Sequence, residues 1–239
     1  MQNATKMGLN YTGVQMSPID SEAMLKASQE VLPDVPGDER KLAVVRSEEV
    51  TRADSVGSVP LPGSVKGMLK TALNKLTGVS PEMLIDKLGE RLAFERTGVR
   101  LYEALLAKAS VVGVVDDTQL ETLQRFRAEE AEHFQLVVAA MEKLGADPSA
   151  MTPCADVVGV TGMGVLQTIS DPRTNLAQSL NALLTAELTD NAGWELLIEL
   201  ADTCGQPEIA ESFYKALSQE QVHLQTVRSW LRDEIVRQV

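Results

Sequence analysis

The chain has only two histidines, and each stands three residues after a glutamate: Glu130-x-x-His133 and Glu220-x-x-His223. At i and i+3 on a helix, both side chains leave from one face. A carboxylate and an imidazole presented together suit a metal ion. Two such pairs, facing two further glutamates on neighbouring helices, would supply a pair of ions.

The flanking sequence repeats. FERTGVRLYEALL, from Phe94, is similar to AELTDNAGWELL, from Ala186, and aligns Glu95 with Glu187 and Tyr102 with Trp194. EEAEHFQLVV is similar to QEQVHLQTVR, with E-x-x-H, an apolar residue, Gln and then Val two positions on. Glu95 precedes Glu130 by about 35 residues and Glu187 precedes Glu220 by about 33, the scale of a repeated helical hairpin. A pseudo-twofold bundle would bring four Glu and two His to one centre.

Helical patterns position these residues. Helix A is expected from a Ser80-Pro81 start to about Ser110, and helix B from near Asp117 to just before Gly145. Helix C should run from Asp171-Pro172 to before Gly205, and helix D from near Pro207 onward. Each is about 28–32 residues, or about 42–48 Å. Their midpoints fall near Glu95, Glu130, Glu187 and Glu220. Short A–B and C–D links imply antiparallel hairpins. About 25 residues between B and C, including GVTGMG, are enough for a crossover along the bundle. Residues 1–80 read as an N-terminal extension, partly irregular, with an amphipathic helix near 64–76; residues 81–239 read as the bundle.

Composition agrees with an all-α fold: 44% of residues are hydrophobic and only 4% aromatic. A net charge of −12 argues against broad nucleic-acid binding, which needs basic surface. There is no apolar run long enough for a membrane span and no secretory h-region, so the expected location is cytoplasmic. Cys154 and Cys204 form no CxxC pair and suggest no disulfide framework.

A Glu from each of two helices and Glu-x-x-His from each of the other two is the pattern of ferritin-like di-metal carboxylate proteins. On Glu95, Glu130, His133, Glu187, Glu220 and His223, residues 81–239 resemble the rubrerythrin/bacterioferritin group. The resemblance implies a ferritin-like four-helix bundle of two antiparallel hairpins joined by a long crossover. Glu95 and Glu187 would be single-carboxylate ligands, Glu130 and Glu220 bridging carboxylates, and His133 and His223 the imidazole ligands. Two iron ions are the expected cofactor, with manganese or a mixed iron–manganese pair as the alternative.

The chain departs from relatives of that kind. Storage ferritins generally lack the second Glu-x-x-His, and no fifth short helix is expected after helix D. Diiron oxygenases often place Arg before the helix-B His, where this chain has Glu132. Rubrerythrins typically carry a rubredoxin-like domain with Cys pairs, and this sequence has no such pairs.

The expected function is a non-haem diiron redox enzyme reducing peroxide or O₂ with electrons from an unidentified donor. The alternatives are an iron-handling ferroxidase of bacterioferritin type, a dimanganese catalase, and a metal-binding bundle without turnover; assembly into a homo-oligomer is left open. Asp190, one turn after Glu187, resembles an additional helix-C carboxylate ligand of rubrerythrins; a solvated or structural Asp is the competing assignment. Tyr102 and Trp194 stand two turns from the helix A and C ligands, where they could gate or carry electrons or simply pack the core. Glu129 and Gln219 each precede a bridging candidate and could orient a histidine or face solvent. Glu103 and Glu195 also repeat but point about 80° from their ligand faces, toward solvent.

Overall fold

The protein's structure, a computed structural model, describes residues 7–10, 12–62, 81–112 and 115–238. The expected amphipathic helix at 64–76 and the Ser80 cap lie outside the described residues. The described residues are helical, with no strand among them. Two compact units separate at Ser55. The smaller, Asn3–Ser55, holds a 3-10 turn at Val14–Met16 and helices α1 (Pro18–Glu30) and α2 (Glu39–Arg52), neither of which buries a residue.

Among the described residues of the larger unit, Val56–Val239, are four long helices and two short ones: α3 (Pro81–Val112), α4 (Asp117–Leu144), α5 (Pro153–Thr161), α6 (Met163–Ser170), α7 (Leu176–Thr203) and α8 (Pro207–Val236). Helices α3, α4, α7 and α8 are the expected A, B, C and D. Local chemistry sets their ends. Asp116 caps α4 in a capping box with Gln119, and α4 stops at Gly145 with φ +83°. Gly205, with φ +68°, turns the chain from α7 toward Pro207 at the start of α8. That left-handed conformation is inexpensive only for glycine.

One boundary differs from the sequence expectation. Helix C was expected from Asp171-Pro172, but α7 begins at Leu176. Asp171 is engaged in a turn: its Oδ1 accepts from Arg173 N at 2.9 Å and its carbonyl accepts from Thr174 N at 3.2 Å. Asn175 is the cap, accepting from Gln178 N at 2.9 Å while Asn175 N donates to Gln178 Oε1 at 2.8 Å. The long crossover also contains α5 and α6, of 9 and 8 residues, too short for periodicity to separate from a loop.

Pairings between side chains give the helix directions. Glu103 meets Arg127 at 2.5 Å and Glu95 lies near His133 at 3.7 Å, so α3 and α4 are antiparallel. Lys108 donates to Ser179 at 3.0 Å while Arg91 binds Asp190, so α3 and α7 are antiparallel as well. His133 meets Gln219 and Glu129 meets His223, which sets α4 against α8 in the same way. Helices α4 and α7 therefore run in the same direction, and the chain between them must travel back along the bundle. It does so against α3. At one end Asp86 Oδ1 accepts from Cys154 N at 2.8 Å; at the other Lys108 Nζ donates to the carbonyls of Asp171 and Thr174 at 2.9 and 3.0 Å.

Two apolar layers result. One collects Leu84, Leu88, Met141, Trp194, Leu197 and Phe213. The other collects Leu101, Leu105, Leu123, Phe126, Leu183 and Val227. On every long helix, the candidate metal ligands fall in sequence between these two sets.

Replacing Asn175 by Ala should destabilise the protein by about 1 kcal/mol through loss of the cap. Urea unfolding measures this; an unchanged midpoint would show that Asn175 does not hold the start of α7.

Candidate metal centre

Six groups converge between the apolar layers. Glu95, Glu130, His133, Glu187, Glu220 and His223 are each at most 2% exposed. Ligand-capable atoms of Glu95, Glu130, His133 and Glu220 lie within 4.8 Å of one another, as do those of Glu130, Glu187 and His223. Glu130 belongs to both sets. Glu220 reaches both imidazoles, with Oε1 2.7 Å from His133 Nδ1 and Oε2 3.3 Å from His223 Nδ1. Glu130 Oε1 lies 3.4 Å from His223 Nδ1.

Proximity here is not hydrogen bonding. Among the described residues, eight buried side-chain polar atoms lack a hydrogen-bond partner, and seven of them belong to these six residues. They are Glu95 Oε2, Glu130 Oε2, Glu187 Oε2, both Glu220 oxygens and the Nδ1 atoms of His133 and His223. Leaving a buried polar group unsatisfied costs about 1–3 kcal/mol, and more for a charged one. Seven such atoms facing one another are therefore hard to explain as a finished hydrogen-bond network. Oxygen-rich donors with two imidazoles fit a divalent cation such as iron or manganese. The cluster could hold a metal ion.

The outer atoms of the same residues are held. His223 Nε2 lies 2.7 Å from Glu129 Oε2, and His133 Nε2 lies 3.2 Å from Gln219 Oε1. Each outer partner therefore serves the histidine of the opposite hairpin. With Nε2–H donating outward, the neutral form of each ring turns its Nδ1 lone pair inward, which is how a partner fixes the tautomer of a metal-binding imidazole. Glu187 Oε1 accepts from Tyr102 OH at 2.7 Å, and Glu95 Oε1 accepts from Arg91 Nη1 at 3.2 Å. Asn191 Nδ2 ties α7 to α8 at this level, donating to the Glu187 and Glu220 carbonyls at 3.0 and 3.1 Å.

Tyr102 and Trp194 are both fully buried, and Trp194 Nε1 is the eighth unpartnered atom. Trp194 stands edge-on to His133 with centroids 5.7 Å apart, while Phe126 packs 4.0 Å from the His223 ring. Asp190 is buried too, but its Oδ1 is bound by Arg91 Nη1 and it belongs to neither convergent set. Glu103 and Glu195 are exposed.

Sequence reasoning overlooked Arg91. It is 4% exposed, pairs with Glu95 and Asp190, and lies over the Phe94 and Trp194 rings at 4.9 and 5.3 Å. Its signal was its place one turn before Glu95 on an otherwise apolar face. Two glycines provide space. A Cβ at Gly193 would overlap the Arg91 guanidinium, and one at Gly98 would overlap Glu130 Oε2.

Burial dominates the electrostatics. It pushes the Glu130 carboxyl well above its ordinary range, aided by Glu220 and Glu95. Burial raises Glu187 to about 8, with repulsion from Glu220 adding to it. Burial also opposes ionisation of Glu220, but the attraction of the two imidazoles close beside it prevails and holds it at about 2. His223 rises to about 9: burial opposes its charge, while Glu220 and Glu187 favour it more strongly. At neutral pH the metal-free cluster thus retains protons that a bound cation would displace.

No protein-family model, curated protein or solved structure matches the chain.

The metal-free protein should lose thermal stability between pH 6 and 9. Glu187 and His223 bind protons more tightly when folded, at about 8 and about 9, than their ordinary values of 4.5 and 6.5. Their contribution is complete below those ordinary values and disappears as pH rises through the folded ones. Metal affinity should move in the opposite direction, rising across the same window. Thermal melts and Mn²⁺ titrations at each pH test both slopes; a flat melting curve would exclude proton retention in the cluster.

Proposed function

We propose that this chain is a ferritin-like di-metal carboxylate protein that reduces peroxide or O₂ at a pair of iron ions. The observation carrying this reading is the set of seven unpartnered atoms on Glu95, Glu130, His133, Glu187, Glu220 and His223, buried between two apolar layers. The parallel course of α4 and α7, and the crossover it requires, support the ferritin-like part of the reading. In this proposal residues 81–239 form the reacting unit and residues 1–80 an extension.

Glu95 with His133 would serve one ion, Glu187 with His223 the other, and Glu130 and Glu220 both. Four carboxylates balance two divalent charges. Bound iron would supply the electron transfer, with an external donor returning the electrons. The protein's own residues perform separate tasks. Glu129 and Gln219 orient the imidazoles, and Tyr102 and Arg91 each hold one oxygen of a terminal glutamate. The apolar layers exclude water, which strengthens the electrostatic interactions between them.

Elemental analysis of anaerobically iron-loaded protein should approach two equivalents per chain, with a marked loss on Glu130→Ala or His223→Ala. Full loading of a variant lacking both histidines would overturn the assignment.

For the reaction, stopped-flow spectra should show oxidation of the diferrous protein by hydrogen peroxide, followed by re-reduction over repeated cycles with the iron count unchanged. Iron release after one oxidation, or growth of a ferric mineral, would instead identify an iron-handling protein.

A further inference from the structure

The sequence repeat implies two equal halves, but the residues surrounding the centre are unequal. Glu95 and Glu187 each have one unpartnered oxygen, Oε2, and one oxygen already held. The donor differs. Glu187 Oε1 receives the neutral phenol of Tyr102 at 2.7 Å. Glu95 Oε1 receives the Arg91 guanidinium at 3.2 Å, which carries a full positive charge.

The repeat positions show where the symmetry breaks. One turn before Glu187, the equivalent of Arg91 is Leu183. The equivalent of Asp190 on α3 is Gly98. Trp194 stands where a second Tyr102 would be, and its Nε1 has no partner. Among the described residues, α3 thus supplies the hydrogen-bond donor to the carboxylates of Glu95 and Glu187, one in each half. Gly193 preserves the space that Arg91 occupies.

We propose that Arg91 makes the two halves unequal, so that a divalent cation is held more tightly beside Glu187 and His223 than beside Glu95 and His133. The inference rests on the di-metal reading above. A guanidinium bound to Glu95 draws on the negative charge that a cation would use, and it repels the cation directly. Arg91 also binds the Asp190 carboxylate, which belongs to neither convergent set. Tyr102 imposes no comparable charge on Glu187. Arg91 acts through Glu95 and Asp190 and is a positioning residue.

Stepwise constants in the intact centre would not test this, because a first ion weakens a second even in a symmetric pair. Single-half variants separate the effects. His133→Ala leaves the Glu187 half, and His223→Ala leaves the Glu95 half. Mn²⁺ titration, followed by the electron paramagnetic resonance signal of the free ion, should show His133→Ala binding at least about tenfold more tightly than His223→Ala. Adding Arg91→Met to His223→Ala should narrow the gap several-fold, whereas adding it to His133→Ala should have little effect. Arg91→Met with Asp190→Asn removes the unpaired buried acid and guards against misfolding; circular dichroism should show native helicity for every variant used.

Equal affinity in the two single-half variants, or tighter binding by His223→Ala, would overturn the inequality while leaving the di-metal reading intact. An equal effect of Arg91→Met in both backgrounds would assign the residue a structural role instead. Absence of Mn²⁺ binding by the unmodified protein, or undiminished two-ion binding without either histidine, would overturn the underlying reading.

Discussion

Mutual repulsion among buried carboxylates is the constraint around which the larger unit is organised. Glu95, Glu130, Glu187 and Glu220 are removed from water at the middle of four helices. An ionised carboxylate in such surroundings is costly unless protons, cations or hydrogen bonds compensate it. The two imidazoles compensate Glu220, Arg91 holds one oxygen of Glu95 and Tyr102 one of Glu187, and protons answer much of the remainder. Seven atoms remain uncompensated by hydrogen bonds. A polar layer of this kind is tolerable because apolar layers on either side supply burial that the layer itself does not.

Helix direction follows from the need to close the cluster. Two hairpins bring one Glu-x-x-His pair beside Glu95 and the other beside Glu187, but the crossover determines how one hairpin meets the other. Its attachments at Asp86 and Lys108 run along α3 and return the chain to the end from which α7 must start. The His133–Gln219 and His223–Glu129 contacts then join the hairpins across the centre. Each histidine is oriented by the hairpin to which it does not belong, so alignment of the hairpins and orientation of the potential ligands depend on each other.

The centre is less symmetric than its repeat. Arg91 and Asp190 occupy one side, where the equivalent residues are Leu183 and Gly98. Space decides part of this. Glu130 needs a glycine at position 98, and Arg91 needs one at 193. A side chain at either position would alter the polar layer without changing a potential ligand.

Helical class, the repeat and six residues whose chemistry suits a metal ion are all legible in the sequence. Those features are local: helical periodicity puts Glu and His at i and i+3 on one face, and a repeat is visible without a fold. The crossover helices were not legible, because eight or nine residues hold too few turns for a period to stand out. The start of α7 was misread because Asp-Pro is compatible with either a turn or a helix start, and the contact with Lys108 is distant in sequence. Tertiary structure alone decided that Arg91 reaches across to Asp190, that Gly98 makes room for Glu130, and that Glu129 and Gln219 serve histidines of the opposite hairpin. Each depends on which residue of another helix fills the facing space, and spacing along one helix carries no record of that.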